Sequence, residues 1–191
     1  MISKTCIDKD NKLVFSKELN HINKTQSCSK LLFSYGEGSS ILLREPSYIN
    51  PYFPETTIAK LEIDTTCLCN PKIKVNFNSI ISYQGNLGGT NLRLLNPFTI
   101  TFQLSKTCNL GEKIPLESWT YANGNISANT TLSNSFNFIY CDSSCDSGCC
   151  VYTVEIIRLT GSLIAGVSPT VVENVYIKSS NISALAFSES K

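Results

Sequence analysis

The segment Phe98–Ser105 alternates between large apolar residues and polar residues without a break. The apolar positions are Phe98, Ile100, Phe102 and Leu104. A period of two that is sustained over this length matches the alternation of side chains along a β-strand. The segment therefore predicts a strand that buries one face in a core and leaves the other face in contact with polar surroundings.

The same alternation returns along the chain, and no window shows the period of an α-helix. Further predicted strands are Leu31–Gly36, Ser40–Arg44, Thr57–Asp64, Lys72–Asn78 with its extension Ile80–Tyr83, Ile114–Tyr121, Phe136–Tyr140, Val151–Leu159, Val172–Lys178 and Asn181–Phe187. Turn-forming residues separate most of these segments. The pattern predicts an all-β protein, specifically a jelly-roll-like antiparallel β-sandwich of about nine or ten strands.

The chain divides into two parts by composition. Residues 1–30 are polar and lysine-rich and show neither period, which predicts an irregular N-terminal arm and a candidate assembly connector. Residues 31–191 contain all of the predicted strands and form the predicted sandwich domain. A chain of 191 residues can bury a sizeable core, so the cysteines need not substitute for one.

Charge and hydropathy argue against several classes of partner. Sixteen basic and fifteen acidic residues leave a net charge of +1 and no basic block, so no nucleic-acid partner is expected. No apolar run is long enough for a membrane-spanning helix, and no membrane partner is expected. Met1–Cys6 is not followed by the apolar stretch of a signal peptide, which predicts synthesis in the cytoplasm and later oxidation.

Nine cysteines accompany a single histidine. Four of the cysteines fall in the stretch Cys141–Cys150, between two predicted strands, and the others lie in the arm or near predicted strand ends. The nine candidates for disulfide bonds are Cys6, Cys28, Cys67, Cys69, Cys108, Cys141, Cys145, Cys149 and Cys150. An odd number in an oxidised protein implies at least one free thiol or one bond to another chain.

Three interpretations of these cysteines are open. The first is a disulfide framework with cross-links between subunits, in which the vicinal Cys149 and Cys150 reach different partners. The second is a zinc or iron–sulfur site, although the spacing in Cys141–Cys150 matches neither a zinc ribbon nor a ferredoxin. The third is a redox or nucleophilic site, which Asp142 and Asp146 disfavour because acidic neighbours would raise a thiol pKa. We favour the first and expect no metal site.

Several segments together resemble a family of cysteine-rich proteins of unknown function from spore-forming clostridia. The resemblance covers about residues 31–187 and is carried by the segments 59–77, 98–109, 118–121, 135–142 and 149–155. Its most specific part combines Asp-Thr-x-Cys-x-Cys-Asn-Pro at 64–71 with Cys-Cys-x-Tyr-x-Val at 149–154. Related sequences lie in or near spore surface layers, so the resemblance implies a structural role in the spore envelope or its appendages.

The resulting expectation is a structural protein of the spore surface, in an exosporium layer or an appendage fibre. It would assemble with itself, and with other spore-surface proteins, through disulfides within and between subunits. No catalytic arrangement and no cofactor are expected. The alternative is a trimeric jelly-roll binding module that recognises carbohydrate or a host surface, for which the aromatic segment Tyr48–Phe53 is the feature to test.

Overall fold

The computed structural model describes residues 31–43, 54–68, 70–87, 98–123, 131–143, 148–160 and 171–188. Within these ranges the chain forms nine β-strands and no helix. The strands are β1 (Leu31–Glu37), β2 (Ile41–Leu43), β3 (Thr56–Asp64), β4 (Pro71–Leu87), β5 (Phe98–Cys108), β6 (Ile114–Asn123), β7 (Thr131–Asp142), β8 (Cys149–Thr160) and β9 (Val171–Ser188). All of the strand pairs are antiparallel. The predicted all-β class is therefore confirmed.

The strands form two sheets that pack face to face. One sheet has the order β1–β9–β4–β7, with β2 also paired to β9, and the other has the order β3–β8–β5–β6. From β2 onward, each strand lies in the opposite sheet from the next, except for the hairpin of β5 and β6. This alternation between two sheets is the topology of a jelly roll. The expected jelly-roll-like sandwich is thus confirmed by the strand order itself.

The core lies between the sheets and is made by the inward residues of the alternating strands. The largest fully buried side chains are Tyr152, Phe77, Phe102, Ile58, Leu61, Ile73, Ile81, Ile100, Leu104, Ile156 and Ile177. On the side of β6 and β7 the gap is filled by stacked rings. Trp119 lies 3.8 Å from Phe138 between ring centroids, and Phe102 lies 4.4 Å from Phe136. These aromatic pairs join the two sheets along one margin of the sandwich.

The opposite margin is closed by a close approach of β1 to β3. The Ser34 hydroxyl donates a hydrogen bond of 2.6 Å to the carbonyl oxygen of Glu62. Just beyond β1, Gly38 forms a bridge to Ala59. Between these contacts, a Cβ atom at Gly36 would lie 2.2 Å from the carbonyl oxygen of Lys60. The two backbones can approach this closely only because residue 36 has no side chain.

We expect Gly36→Ala to lower the free energy of unfolding by roughly 2–3 kcal/mol, because the added methyl group must displace backbone. Urea denaturation followed by circular dichroism would measure the change. Gly111→Ala is the matched control, since its Cβ would meet no atom closer than 3.0 Å. Equal effects of the two substitutions would contradict the steric explanation.

Two predicted strands form one strand in the structure. Val172–Lys178 and Asn181–Phe187 belong to the single strand β9, because Ser179 adopts a positive φ of 52° and the ladder to β4 resumes after a bulge. The predicted arm at residues 1–30 and the segment Tyr48–Phe53 lie outside the described residues. The described part of the chain contains no helix with the length and apolar character needed to cross a membrane.

Candidate functional site

The described cysteines lie at one end of the sandwich, which we call the cysteine pole. The connections from β3 to β4, from β5 to β6 and from β7 to β8 all lie at this end, as the antiparallel pairing requires. The first residue of β1 is also here, since Leu31 pairs with Phe187 near the end of β9. The described cysteines are Cys67, Cys108, Cys141, Cys149 and Cys150. Residues far apart in sequence are thereby brought to one surface.

Cys108 and Cys150 form a disulfide between neighbouring strands of one sheet. They are directly opposite each other in the ladder of β5 and β8. The hairpin after Cys108 turns through Asn109 and Leu110, both with positive φ, and Gly111 donates its amide to the Cys108 carbonyl at 2.8 Å. Two consecutive positive φ angles closed by this bond define a type I′ turn. The turn ends β5 at Cys108, and the ladder of β5 and β8 places this residue opposite Cys150.

Hydrogen bonds from backbone and side chains hold the start of β8 between two neighbouring segments. Thr65, which is fully buried, donates its amide to the Gly148 carbonyl at 2.8 Å and accepts the Gly148 amide on its hydroxyl at 3.2 Å. On the other side, Asn109 Oδ1 accepts the Cys149 amide at 3.2 Å, and a Cβ at Gly148 would lie 2.6 Å from that oxygen. Cys149 is itself disulfide-bonded. Because Cys150 is bonded to Cys108, the vicinal cysteines have different partners.

Cys67 and Cys141 carry free, exposed thiols. Cys67 lies in the turn between β3 and β4, and Cys141 is the penultimate residue of β7. On the outer face of its sheet, Cys141 is paired with Lys74. It also lines an open groove of about 200 Å³ with Lys72 and Phe187. Both thiols are therefore open to reagents and to another chain.

Exposed apolar side chains occupy the outer face of the same sheet, and we call this group the β1 face. It consists of Leu31, Phe33, Tyr35 and Phe187, of which Phe33 is 70% exposed. Phe33 is paired with Leu185, Leu185 with Lys74, and Lys74 with Cys141. Residues that are directly opposite in a sheet share a face. One row across the sheet therefore runs from the β1 face to a free thiol.

A buried polar group lies between the two sheets beside the cysteine pole. Lys106 Nζ is 2.8 Å from Asp142 Oδ2, and the Tyr152 hydroxyl donates a hydrogen bond of 2.9 Å to the same oxygen. All three residues are buried. The prediction that Asp142 lies in the connection between two strands is wrong, because β7 extends to this residue. Asp142 ends β7 with its side chain turned inward, where it forms an ion pair with Lys106.

Sequence reasoning missed this group, although the alternation contained a signal for it. Lys106 continues the inward series of β5 after Leu104, and Asp142 continues the inward series of β7 after Phe138 and Tyr140. A charged residue at an inward position predicts an oppositely charged partner, because burying an isolated charge costs free energy. The two charges are opposite in sign and lie at the same end of facing sheets.

The positions of the His, Cys, Asp and Glu side chains test whether the described residues contain a metal site. Among the described residues, no three His, Cys, Asp or Glu side chains are grouped closely enough to hold a metal ion. Cys6, Cys28, Cys69, Cys145 and Asp146 lie outside the described residues. By sequence, Cys69 belongs to the turn that contains Cys67, and Cys145 to the connection between β7 and β8.

A family described as "Domain of unknown function (DUF4489)" matches residues 29–187. The match spans most of the chain, including all of the described strands except the last residue of β9. The chain belongs to the DUF4489 family. The description of this family names no activity, and no curated protein matches the chain.

One solved structure similar to this DUF4489 chain is entitled "Structure of Eiger TNF from S. frugiperda". The two sequences are 10% identical, with a TM-score of 0.36, and the similarity covers 85% of this chain and 96% of that chain. The jelly-roll assignment for the DUF4489 chain rests on its own strand order.

Proposed function

We propose that this protein is a structural subunit that assembles with copies of itself and is locked by disulfides within and between subunits. The observation that carries the proposal is the cysteine pole. It combines an internal disulfide, Cys108–Cys150, with two exposed free thiols, Cys67 and Cys141. A free thiol at the surface of a chain that already forms disulfides is the group needed for a bond to another chain.

The geometry of the pole supports cross-linking over a merely internal framework. Cys67 and Cys141 remain unbonded in the chain whose other described cysteines are bonded. The turn that contains Cys67 is held by Thr65, whose hydroxyl donates a hydrogen bond to the Gly148 carbonyl. Cys141 is held within the ladder of β7 and β4. A thiol on a rigid element offers a defined direction to a partner and loses little conformational freedom when it bonds.

The arm at residues 1–30 completes the proposal as the connector. It carries Cys6 and Cys28, and it joins the domain at Leu31, which lies at the cysteine pole. We propose that the arm of one subunit brings a cysteine to Cys67 or Cys141 of the next. The β1 face, which lies beside the start of the arm, would add noncovalent contact between subunits by burial of apolar surface.

The proposed location is the spore surface, in an exosporium layer or an appendage fibre. Support comes from the resemblance of the segments around the cysteines to sequences of spore-forming clostridia. The role is mechanical and uses no catalytic residue or cofactor. Antibody labelling of intact spores should decorate their surface, and labelling confined to the interior of vegetative cells would contradict this location.

Cross-linking is tested by electrophoresis of the oxidised protein with and without reductant. We expect a ladder of oligomers that collapses to monomer on reduction. Cys67→Ser/Cys141→Ser should remove most of the ladder, because the receiving thiols are gone. Cys6→Ser/Cys28→Ser should remove it as well if the arm supplies the other sulfur. Thr66→Ser/Ser143→Ala changes neighbouring exposed residues and leaves all thiols in place, so it should retain the ladder.

The outcome that contradicts self-assembly is a protein that stays monomeric under both conditions. A ladder that persists in both cysteine variants would instead assign the cross-links to other cysteines. Either result can be read directly from the gel, since each added subunit contributes 21.0 kDa.

A second candidate function, the trimeric binding module, is favoured by the β1 face. Four exposed apolar side chains on one sheet can associate without any thiol. The molar mass of the reduced protein, measured by light scattering, distinguishes the binding module from the disulfide-locked structural subunit. A discrete trimer in the presence of reductant, dissociated by Phe33→Ser, would favour the binding module over disulfide-locked assembly.

A further inference from the structure

We propose that Lys106 and Asp142 form an intramolecular amide bond, which makes this pair a self-modification site that joins the two sheets covalently. This inference does not depend on the proposed function, because it concerns a single chain and no thiol. Its basis is the contact of 2.8 Å between Lys106 Nζ and Asp142 Oδ2 in the interior of the sandwich.

The geometry brings the reacting atoms together before any reaction. Since a carbonyl bond is about 1.23 Å long, Lys106 Nζ lies no more than about 4 Å from Asp142 Cγ. A reacting pair in a near-attack arrangement is about 3–3.5 Å apart, and effective concentrations in such arrangements are on the order of 10⁵ M or more. A small rotation of either side chain closes the remaining gap.

The reaction needs the uncharged amine of Lys106 and the uncharged carboxylic acid of Asp142. The side chains of Lys106 and Asp142 are only 8% and 0% exposed. Removing both charges from water is costly even when they are paired. A proton transfer from the ammonium to the carboxylate produces a neutral amine and a carboxylic acid, which carry no such cost. The amine is then a nucleophile, and the surrounding core excludes the water that would favour hydrolysis.

The step balances without any other reactant. The lone pair of Lys106 Nζ attacks Asp142 Cγ and forms the new C–N bond. The bond from Cγ to Oδ1 breaks, and Oδ1 leaves as water with the acid proton and one proton from the amine. Oδ2 remains as the amide oxygen. The Tyr152 hydroxyl, which donates a hydrogen bond to Oδ2, stabilises the negative charge that develops on this oxygen during the attack.

The position of the bond gives it a mechanical effect. Lys106 is on β5 and Asp142 is on β7, which belong to different sheets and are not paired with each other. An amide at this point ties the layers together beside the Cys108–Cys150 disulfide, which links strands within one sheet. Unlike the disulfide, the amide survives a reducing environment.

Mass spectrometry of the full chain, reduced and denatured, tests the proposal. We expect an intact mass lower than the sequence mass by one water molecule, and a proteolytic fragment in which the segments around residues 106 and 142 are joined. Trypsin should fail to cleave after Lys106. A reduced protein at its full sequence mass, with the two segments recovered separately, would overturn the proposal and leave a simple ion pair.

Three variants assign the chemistry. Lys106→Arg keeps the positive charge beside Asp142 but has no primary amine, so it should retain the full mass. Asp142→Asn can form the same amide and should lose one ammonia molecule. Tyr152→Phe should slow formation on the order of 100-fold, which would appear as a larger unlinked fraction soon after synthesis. A mass loss that persists in Lys106→Arg would place the modification elsewhere and overturn the assignment.

Discussion

Replacing both Cys108 and Cys150 with alanine is expected to lower the free energy of unfolding by about 4 kcal/mol. The disulfide closes a loop across a sequence separation of 42 residues, and closing a loop of that length with no other link across it removes about this much entropy from the unfolded chain. In chains that contain the Lys106–Asp142 amide, the open part of the loop is shorter and the expected loss is about 3 kcal/mol. Urea denaturation under non-reducing conditions would measure the loss. Both cysteines are replaced together, so that no new free thiol is left in the core.

The design keeps cross-links between chains out of this measurement. The comparison is made in a Cys67→Ala/Cys141→Ala background, in which the two described free thiols are absent. That background should itself differ from the wild type by less than about 0.5 kcal/mol as a monomer, because both thiols are exposed. A loss of less than about 1 kcal/mol from the Cys108→Ala/Cys150→Ala pair would contradict the loop-closure argument.

Phe77→Ala is expected to cost about 3–5 kcal/mol of unfolding free energy, through lost burial and the cavity left behind. Phe77 has no exposed surface, and its ring lies 5.1 Å from that of Phe138 and 6.1 Å from that of Phe102. These rings belong to three strands in both sheets. The cavity would therefore open at the point where the layers meet, where backbone ladders limit collapse.

The matched control is Phe33→Ala, which removes the same group from a side chain that is 70% exposed. We expect its effect on the unfolding of the monomer to stay within about 0.5 kcal/mol. Denaturation at low protein concentration, in the presence of reductant, would compare the two variants. Similar losses would contradict the assignment of Phe77 to the core and of Phe33 to the outer surface.

The strongly alternating segments were predictable because a strand that is buried on one face has apolar residues at every second position. Ile100, Phe102 and Leu104 are fully buried, as the pattern of β5 predicts. β6, which contains Pro115, is an edge strand, where proline is tolerated. Where both faces are polar the signal disappears. Gln84–Leu87 lacks apolar alternation, yet it continues β4 because its backbone pairs with β9.

The cysteine-rich connection between two strands could also be predicted, because apolar alternation stands on both sides of it. The partners of its cysteines could not be predicted. Cys108 is 42 residues from Cys150, and only the ladder of β5 and β8 places them opposite each other. Only the structure shows that Cys67 and Cys141 are free while the other described cysteines form disulfides.

The sequence by itself determined the all-β class, the inward face of each strongly alternating strand and the presence of a thiol-rich framework. These properties depend on local periodicity and on residue type. Only the tertiary structure decided that the described cysteines share one pole, that Phe33 lies in a row with Cys141, and that Lys106 meets Asp142 across the core. Each of these depends on which strands become neighbours. That choice is made by the packing of two whole sheets, which no single segment of the sequence encodes.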